Sequence, residues 1–204
     1  MRVQELAPGL WRWTAPHPGW EPSPAPESPA DWPREVGCVY YEAPGAVVLI
    51  DPLLPPASPA ADRETFLAAL DRDVERLGLP VSILLTVSWH ERSAGDLGQR
   101  YGASGATPAG VVERRVDSAE ETLYWLPERR TLVVGDVLIA DGAGGLRVCP
   151  DSWLPEGTDP AAVRETLRPL LELPIERVLA SHGAPVLVGG GVALELALDR
   201  VPAR

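Results

Sequence analysis

Apolar positions along the chain fall into short β-type runs separated by stripes of helical period, and the two kinds alternate. Residues 10–14 form a short Trp-rich strand. Residues 36–42 and 46–50 are two β-rich runs split by Ala43-Pro44-Gly45, a hairpin signal, and the second run ends in Asp51-Pro52. A helix is predicted next, with Ser58 as N-cap and Pro59 at its first position. Its stripe is Phe66, Leu67, Leu70, Val74 and Leu77, and Gly78 stops it. Residues 81–86 make an apolar strand with a polar end, and residues 93–101 a helix. Four strands follow at 111–116, 122–126, 131–134 and 137–140, with the turn between the second and third at 127–130. Asp159-Pro160 opens a helix whose stripe is Val163, Leu167, Leu170 and Leu171. A strand at 177–180 runs into Ser181-His182-Gly183, and a terminal helix follows the glycines at 189–191. Two sheets with helices outside both satisfy the layering rules for such an order. Asp51, the 86–92 loop, Asp136 and His182 all stand at carboxyl ends of strands, the edge where α/β proteins take their ligands.

The length of 204 residues allows one domain with a real core. Seven of the 23 prolines lie between Pro16 and Pro33, so residues 15–35 or so read as an extended loop between strands. Trp20 and Trp32 within it argue that part of the loop packs onto something, and they leave a homodimer open. The net charge of -11 argues against nucleic acid and against a polybasic membrane surface, leaving a small-molecule ligand as the expected partner. All 18 basic residues are Arg, which excludes a catalytic Lys, a Schiff base and a P-loop Lys. Cys38 and Cys149 are two small buried hydrophobes rather than a disulfide framework. No apolar leader or membrane-length run is visible, so the expected compartment is the cytoplasm.

Four landmarks in order carry a family resemblance. They are Val48-Leu49-Ile50-Asp51-Pro52, Leu84-Leu85-Thr86 before a polar loop, Leu126 to Asp136 with its Leu-Pro turn, and Ser181-His182-Gly183. Together they resemble the metallo-β-lactamase superfamily. The resemblance implies an α/β (α+β) fold, a four-layer αββα sandwich of two mixed β-sheets flanked by helices. It implies a single such domain over residues 1–204, with the site at one edge of the sheets.

The family motif T-H-x-H-x-D-H, which supplies ligands for two metals, corresponds here to Thr86-Val87-Ser88-Trp89-His90-Glu91-Arg92. Val87 and Trp89 take the places of the first two ligand histidines, Glu91 that of the Asp and Arg92 that of the last His. Asp117 is the nearest match to the third His of the first metal. Asp136 and His182 keep the bridging-carboxylate and final-His positions. Val and Trp cannot coordinate, and a guanidinium has only donors and repels a cation. The resemblance therefore implies a pocket lined by Val87, Trp89, Glu91, Arg92, Asp117, Asp136 and His182, with Trp89 filling it and Arg92 paired to Asp136 or Glu91.

His90 is out of phase with the motif and reads as a surface or edge histidine, His17 as exposed, and Asp51 as a loop-capping carboxylate. The expected function is a member of the fold without most metal ligands and with no cofactor. It binds a small anionic ligand or serves as a structural partner. The alternative is a hydrolase of an ester, thioester or lactone with zinc or another divalent metal at Glu91, Asp136 and His182. A third reading is metal-free, with His182 as base and Arg92 stabilising an oxyanion, and the candidate catalytic residues are His182, Asp136 and Arg92.

Overall fold

The computed structural model describes residues 2–23 and 25–200. Met1, Pro24 within the Pro-rich loop and residues 201–204 at the end of the expected domain lie outside the described residues. The chain divides into two compact units, Met1–Trp20 with Arg34–Val112, and Glu21–Pro33 with Glu113–Arg204.

The first unit is built on a five-stranded sheet of β1 (Arg2–Ala7), β2 (Leu10–Pro16), β3 (Glu35–Ala43), β4 (Ala46–Ile50) and β5 (Val81–Leu84), paired in that order. The first four are antiparallel neighbours, and β4 and β5 run parallel with Ile50 opposite Leu84. Every residue of β4 is buried, as a continuous apolar run in a central strand demands. Helices α1 (Ala60–Leu77) and α2 (Ala94–Tyr101) complete the unit. The helix start at Ser58-Pro59 is shifted by one residue: Pro59 occupies the capping position in extended backbone and no side chain caps it. Gly78 ends α1 at φ 61°, where a side chain would be strained. Strand β1 escaped the sequence pattern because it is an edge strand with no buried residue, so it shows no alternation.

The second unit carries a four-stranded sheet. Its strands are β6 (Val112–Val116), β7 (Glu121–Leu126), β8 (Thr131–Val134) and β11 (Arg177–Ala180), in the order β11-β8-β7-β6. Strands β8 and β11 are parallel, with Val134 opposite Ala180. A separate hairpin joins β9 (Leu138–Ala140) to β10 (Leu146–Val148) across the glycine-rich turn. Helices α3 (Pro160–Leu167) and α4 (Gly190–Asp199) complete it, and Asp159 caps α3 by accepting from the Ala161 amide at 2.9 Å, as the sequence predicts. Both units therefore hold mixed α/β structure with one mixed or largely antiparallel main sheet each. No helix among the described residues is long and apolar enough to cross a membrane.

The Pro-rich loop is closed at its ends by a 2.8 Å bond from the His17 amide to the Arg34 carbonyl. Its central part is tied into the second unit, where Trp153 Nε1 donates to the Ser28 carbonyl at 2.9 Å and Arg147 pairs with Glu27 at 3.5 Å. The described residues on the far side of this loop, Glu27 and Ser28, are therefore packed onto the second unit's own side chains.

Candidate metal and ligand site

Strand register positions the chemistry in each unit. In the first, the parallel pairing of β4 with β5 sets Asp51, one residue beyond Ile50, beside Thr86, two residues beyond Leu84. Asp51 is buried, and its backbone sits at φ 49°, a conformation a non-glycine residue adopts only where its surroundings impose it. Its carboxylate accepts from the Thr86 amide at 2.8 Å, from the Thr86 hydroxyl at 2.6 Å and from His90 Nδ1 at 3.0 Å. Burial pushes the Asp51 carboxyl up. The hydrogen bonds from His90 and Thr86, with the charge of Arg92, outweigh it and hold the group below the usual carboxylate range. With Asp51 ionised, Nδ1 of His90 carries the proton and the lone pair is on Nε2. A carboxylate that orients a ring in this way is the usual second partner of a metal-ligating histidine.

His90 is 4 % exposed, in a short 3-10 turn at Ser88–Glu91. It is a buried, carboxylate-held imidazole and not the surface histidine that its motif phase suggests. The turn shortens the rise per residue relative to an extended loop and so resets which side chains face inward. For the same reason Trp89 is 53 % exposed and does not fill a pocket, and Glu91 is exposed beside it. Val87 is buried and apolar. Arg92 makes no ion pair with Glu91. Its terminal nitrogen donates to the backbone carbonyls of Gly37 at 3.2 Å and Asp51 at 3.1 Å, so it braces the start of the loop.

In the second unit the parallel pairing of β8 with β11 sets Asp136 and His182 each two residues beyond the paired Val134 and Ala180. His182 Nε2 lies 3.1 Å from Asp136 Oδ1. Two ligands of one tetrahedral Zn²⁺, at the usual bond lengths, stand about 3.3 Å apart, so this spacing suits a shared ion as well as a hydrogen bond. Gly183 follows at φ 89°, and a Cβ there would lie 2.5 Å from the Ala140 side chain. Only glycine lets the chain turn so closely behind His182. The indoles of Trp153 and Trp32 flank the imidazole, with ring centres 5.4 and 5.8 Å away. The first of these contacts is edge-on, and together they exclude water from two sides of the ring.

Beneath Asp136 lies Glu121, a residue the sequence reading passes over. It is buried at the start of β7 and accepts from three successive amides: Gly135 at 2.8 Å, Asp136 at 2.8 Å and Val137 at 2.7 Å. Burial, and then the nearby charge of Asp136, push its carboxyl up to about 8 against the pull of those amides. Glu121 thereby fixes the backbone that presents Asp136. Nothing in the local sequence marks it, because its partners are backbone groups fourteen to sixteen residues away. Asp117 is elsewhere: it opens a 3-10 turn, is largely exposed and pairs with Arg115 at 2.8 Å, so it is not part of this cluster. Cys38 and Cys149 are buried and free, as expected, and burial raises both thiols, to about 11 and about 12.

No protein-family profile matches the chain, and no curated protein matches it in sequence. Solved structures do match in fold. A metallo-β-lactamase from Erythrobacter litoralis aligns with a TM-score of 0.59 at 14% identity, covering 97% of this chain and 90% of the other. The DIM-1 metallo-β-lactamase, in a crystal exposed to ceftazidime, aligns with a TM-score of 0.55 at 12% identity, covering 97% and 96%. VMB-1 aligns with a TM-score of 0.54 at 12% identity over 97% and 96%.

Proposed function

From the metallo-β-lactamase fold that this chain carries, we propose a hydrolase dependent on a divalent metal ion, with Asp136 and His182 of the second unit among its protein ligands. The observation that carries the reading is the 3.1 Å approach of His182 Nε2 to Asp136 Oδ1, a spacing that two ligands of one ion also have. An imidazole and a carboxylate are both donors that a catalytic metal site uses. Val87 and the exposed Trp89 supply no donors for a second ion, so the count is one.

A divalent cation there supplies Lewis acidity and makes water a usable nucleophile at neutral pH. The protein groups do the rest. Asp51 and Thr86 hold the His90 tautomer, Glu121 holds the loop that carries Asp136, and Trp32 and Trp153 keep the His182 ring dry. Water exclusion strengthens each of these electrostatic contacts. The substrate class we propose is an ester, thioester or lactone.

The test is metal content of protein purified without a histidine tag and dialysed against zinc. The expected result is close to one equivalent, with Asp136→Ala and His182→Ala each losing it while keeping a native circular dichroism spectrum. Wild-type protein that stays far below one equivalent, or a His182→Ala variant that retains the ion, overturns the assignment.

A further inference from the structure

The first unit contains a cavity of about 600 Å³ bounded by the end of β2, the loop at 53–57, the start of α1 and the residues just after the His90 turn. Its charge is anomalous for so acidic a protein. Among the described residues, Arg34, Arg63 and Arg92 line it, and no Asp or Glu does. The chain as a whole carries a net charge of -11. Three arginines in the lining of one concavity bring like charges together, a cost that a bound anion would offset.

Their present partners do not supply that charge inside the cavity. Arg63 reaches Asp96 at 3.4 Å, but that carboxylate is 74% exposed and lies outside the lining. Arg92 spends one terminal nitrogen on two neutral carbonyls, and its Nε is buried without a hydrogen-bond partner. A buried donor left unsatisfied marks a site completed by a ligand or solvent. Arg92 also adopts φ 41°, a backbone conformation that its surroundings must impose. His17 accepts the Gly19 amide on Nδ1 at 3.2 Å, which puts its proton on Nε2 and makes that edge of the ring a donor. Apart from Ser93, the remaining wall is apolar, with Trp20, Leu53, Leu54 and the prolines 55 and 56.

We propose that this pocket binds an organic anion. Its carboxylate or phosphate monoester head is held by Arg34 and Arg63, and its apolar body lies against Trp20 and the 53–56 loop. Guanidinium forks fit both heads, and the apolar wall selects against inorganic ions. The volume suits a small organic molecule. The site needs no metal, so it goes beyond the hydrolase reading and is tested apart from it.

The experiment is isothermal titration calorimetry of the full chain, dialysed against EDTA, with benzyl phosphate, phenylacetate and the uncharged benzyl alcohol. At least one anion is expected to bind more than about tenfold tighter than the alcohol, with an affinity that falls as salt rises. Whichever anion binds better identifies the head group. The Arg34→Gln, Arg63→Gln double variant is expected to lose about tenfold, and Arg34→Glu alone to lose more, both with native circular dichroism. If the double variant does not fold, the two single Gln variants carry the test. Equal binding of alcohol and anions, unchanged affinity in folded variants, or no binding of either anion at millimolar concentration overturns the proposal. Zinc content is unaffected by any of these results, so failure here and failure of the metal assignment are separately visible.

Discussion

Glu121→Ala tests whether the site is assembled by a buried carboxyl rather than by its ligands alone. The two oxygens offer four lone-pair positions, three of which take the amides of Gly135, Asp136 and Val137. The fourth is where the proton of a neutral carboxyl resides. Each buried amide left without an acceptor costs about 1–3 kcal/mol, and water entering the space recovers part of that, so the net loss is about 3–5 kcal/mol. With a urea slope of about 2 kcal/mol/M, the unfolding midpoint falls by about 1.5–2.5 M. Glu121→Gln keeps one oxygen for the Asp136 and Val137 amides but turns an NH₂ toward the Gly135 amide, so its loss is smaller, about 1–3 kcal/mol. Tryptophan fluorescence in urea measures both. The raised carboxyl adds a pH signature. Its folded value of about 8 lies above the ordinary 4.5, so its stabilisation is complete below 4.5 and is lost as pH rises through about 8. The gap between wild type and Glu121→Gln is therefore expected to narrow from pH 6 to pH 9. A Glu121→Ala midpoint within about 0.5 M of wild type refutes the reasoning, because three buried amides cannot lose their acceptor at so little cost.

Arg92→Ala removes a donor to two carbonyls rather than half of a carboxylate pair, so urea unfolding is expected to show a loss of about 1–3 kcal/mol, below the ~3–5 of a broken buried ion pair. Trp89→Ala, at a side chain 53 % exposed, is expected to change thermal stability by under about 1 kcal/mol, where a buried Trp costs about 3–5. Asp141 holds the Ala143 and Gly145 amides at 2.8 Å and Arg200 at 2.9 Å, and those bonds keep its carboxyl below the usual range. Its contribution is present above the ordinary carboxylate value and lost as pH falls through the lowered one. Asp141→Asn is thus expected to cost about 1 kcal/mol at pH 7 and progressively less as pH falls below the ordinary carboxylate range, read from urea midpoints along the acid limb.

Periodicity and punctuation in the chain were enough to place most of the strands and all four helices, because those signals are local: apolar runs for buried strands, one-face stripes for helices, Gly78 and Asp159 at helix ends. The same locality explains what was missed. β1 is an exposed edge, and β10 is three residues after a glycine-rich turn, so neither carries a pattern. Four landmarks in register were likewise sufficient for the fold, and they brought Asp51, Asp136 and His182 to strand ends, since a strand's carboxyl end is fixed by where its apolar run stops. The direction of side chains in the 86–92 loop was decided elsewhere. Motif alignment treats that loop as if its phase were constant, whereas a 3-10 turn buries His90 against Asp51 and turns Trp89 out to solvent. Glu121, Trp32 and the arginine-lined cavity belong to the same class. Each depends on groups far apart in the chain, and often on backbone amides or carbonyls, which every residue possesses. A one-dimensional sequence carries no mark of them, and only the packed chain selects which of its identical peptide groups a given side chain will meet.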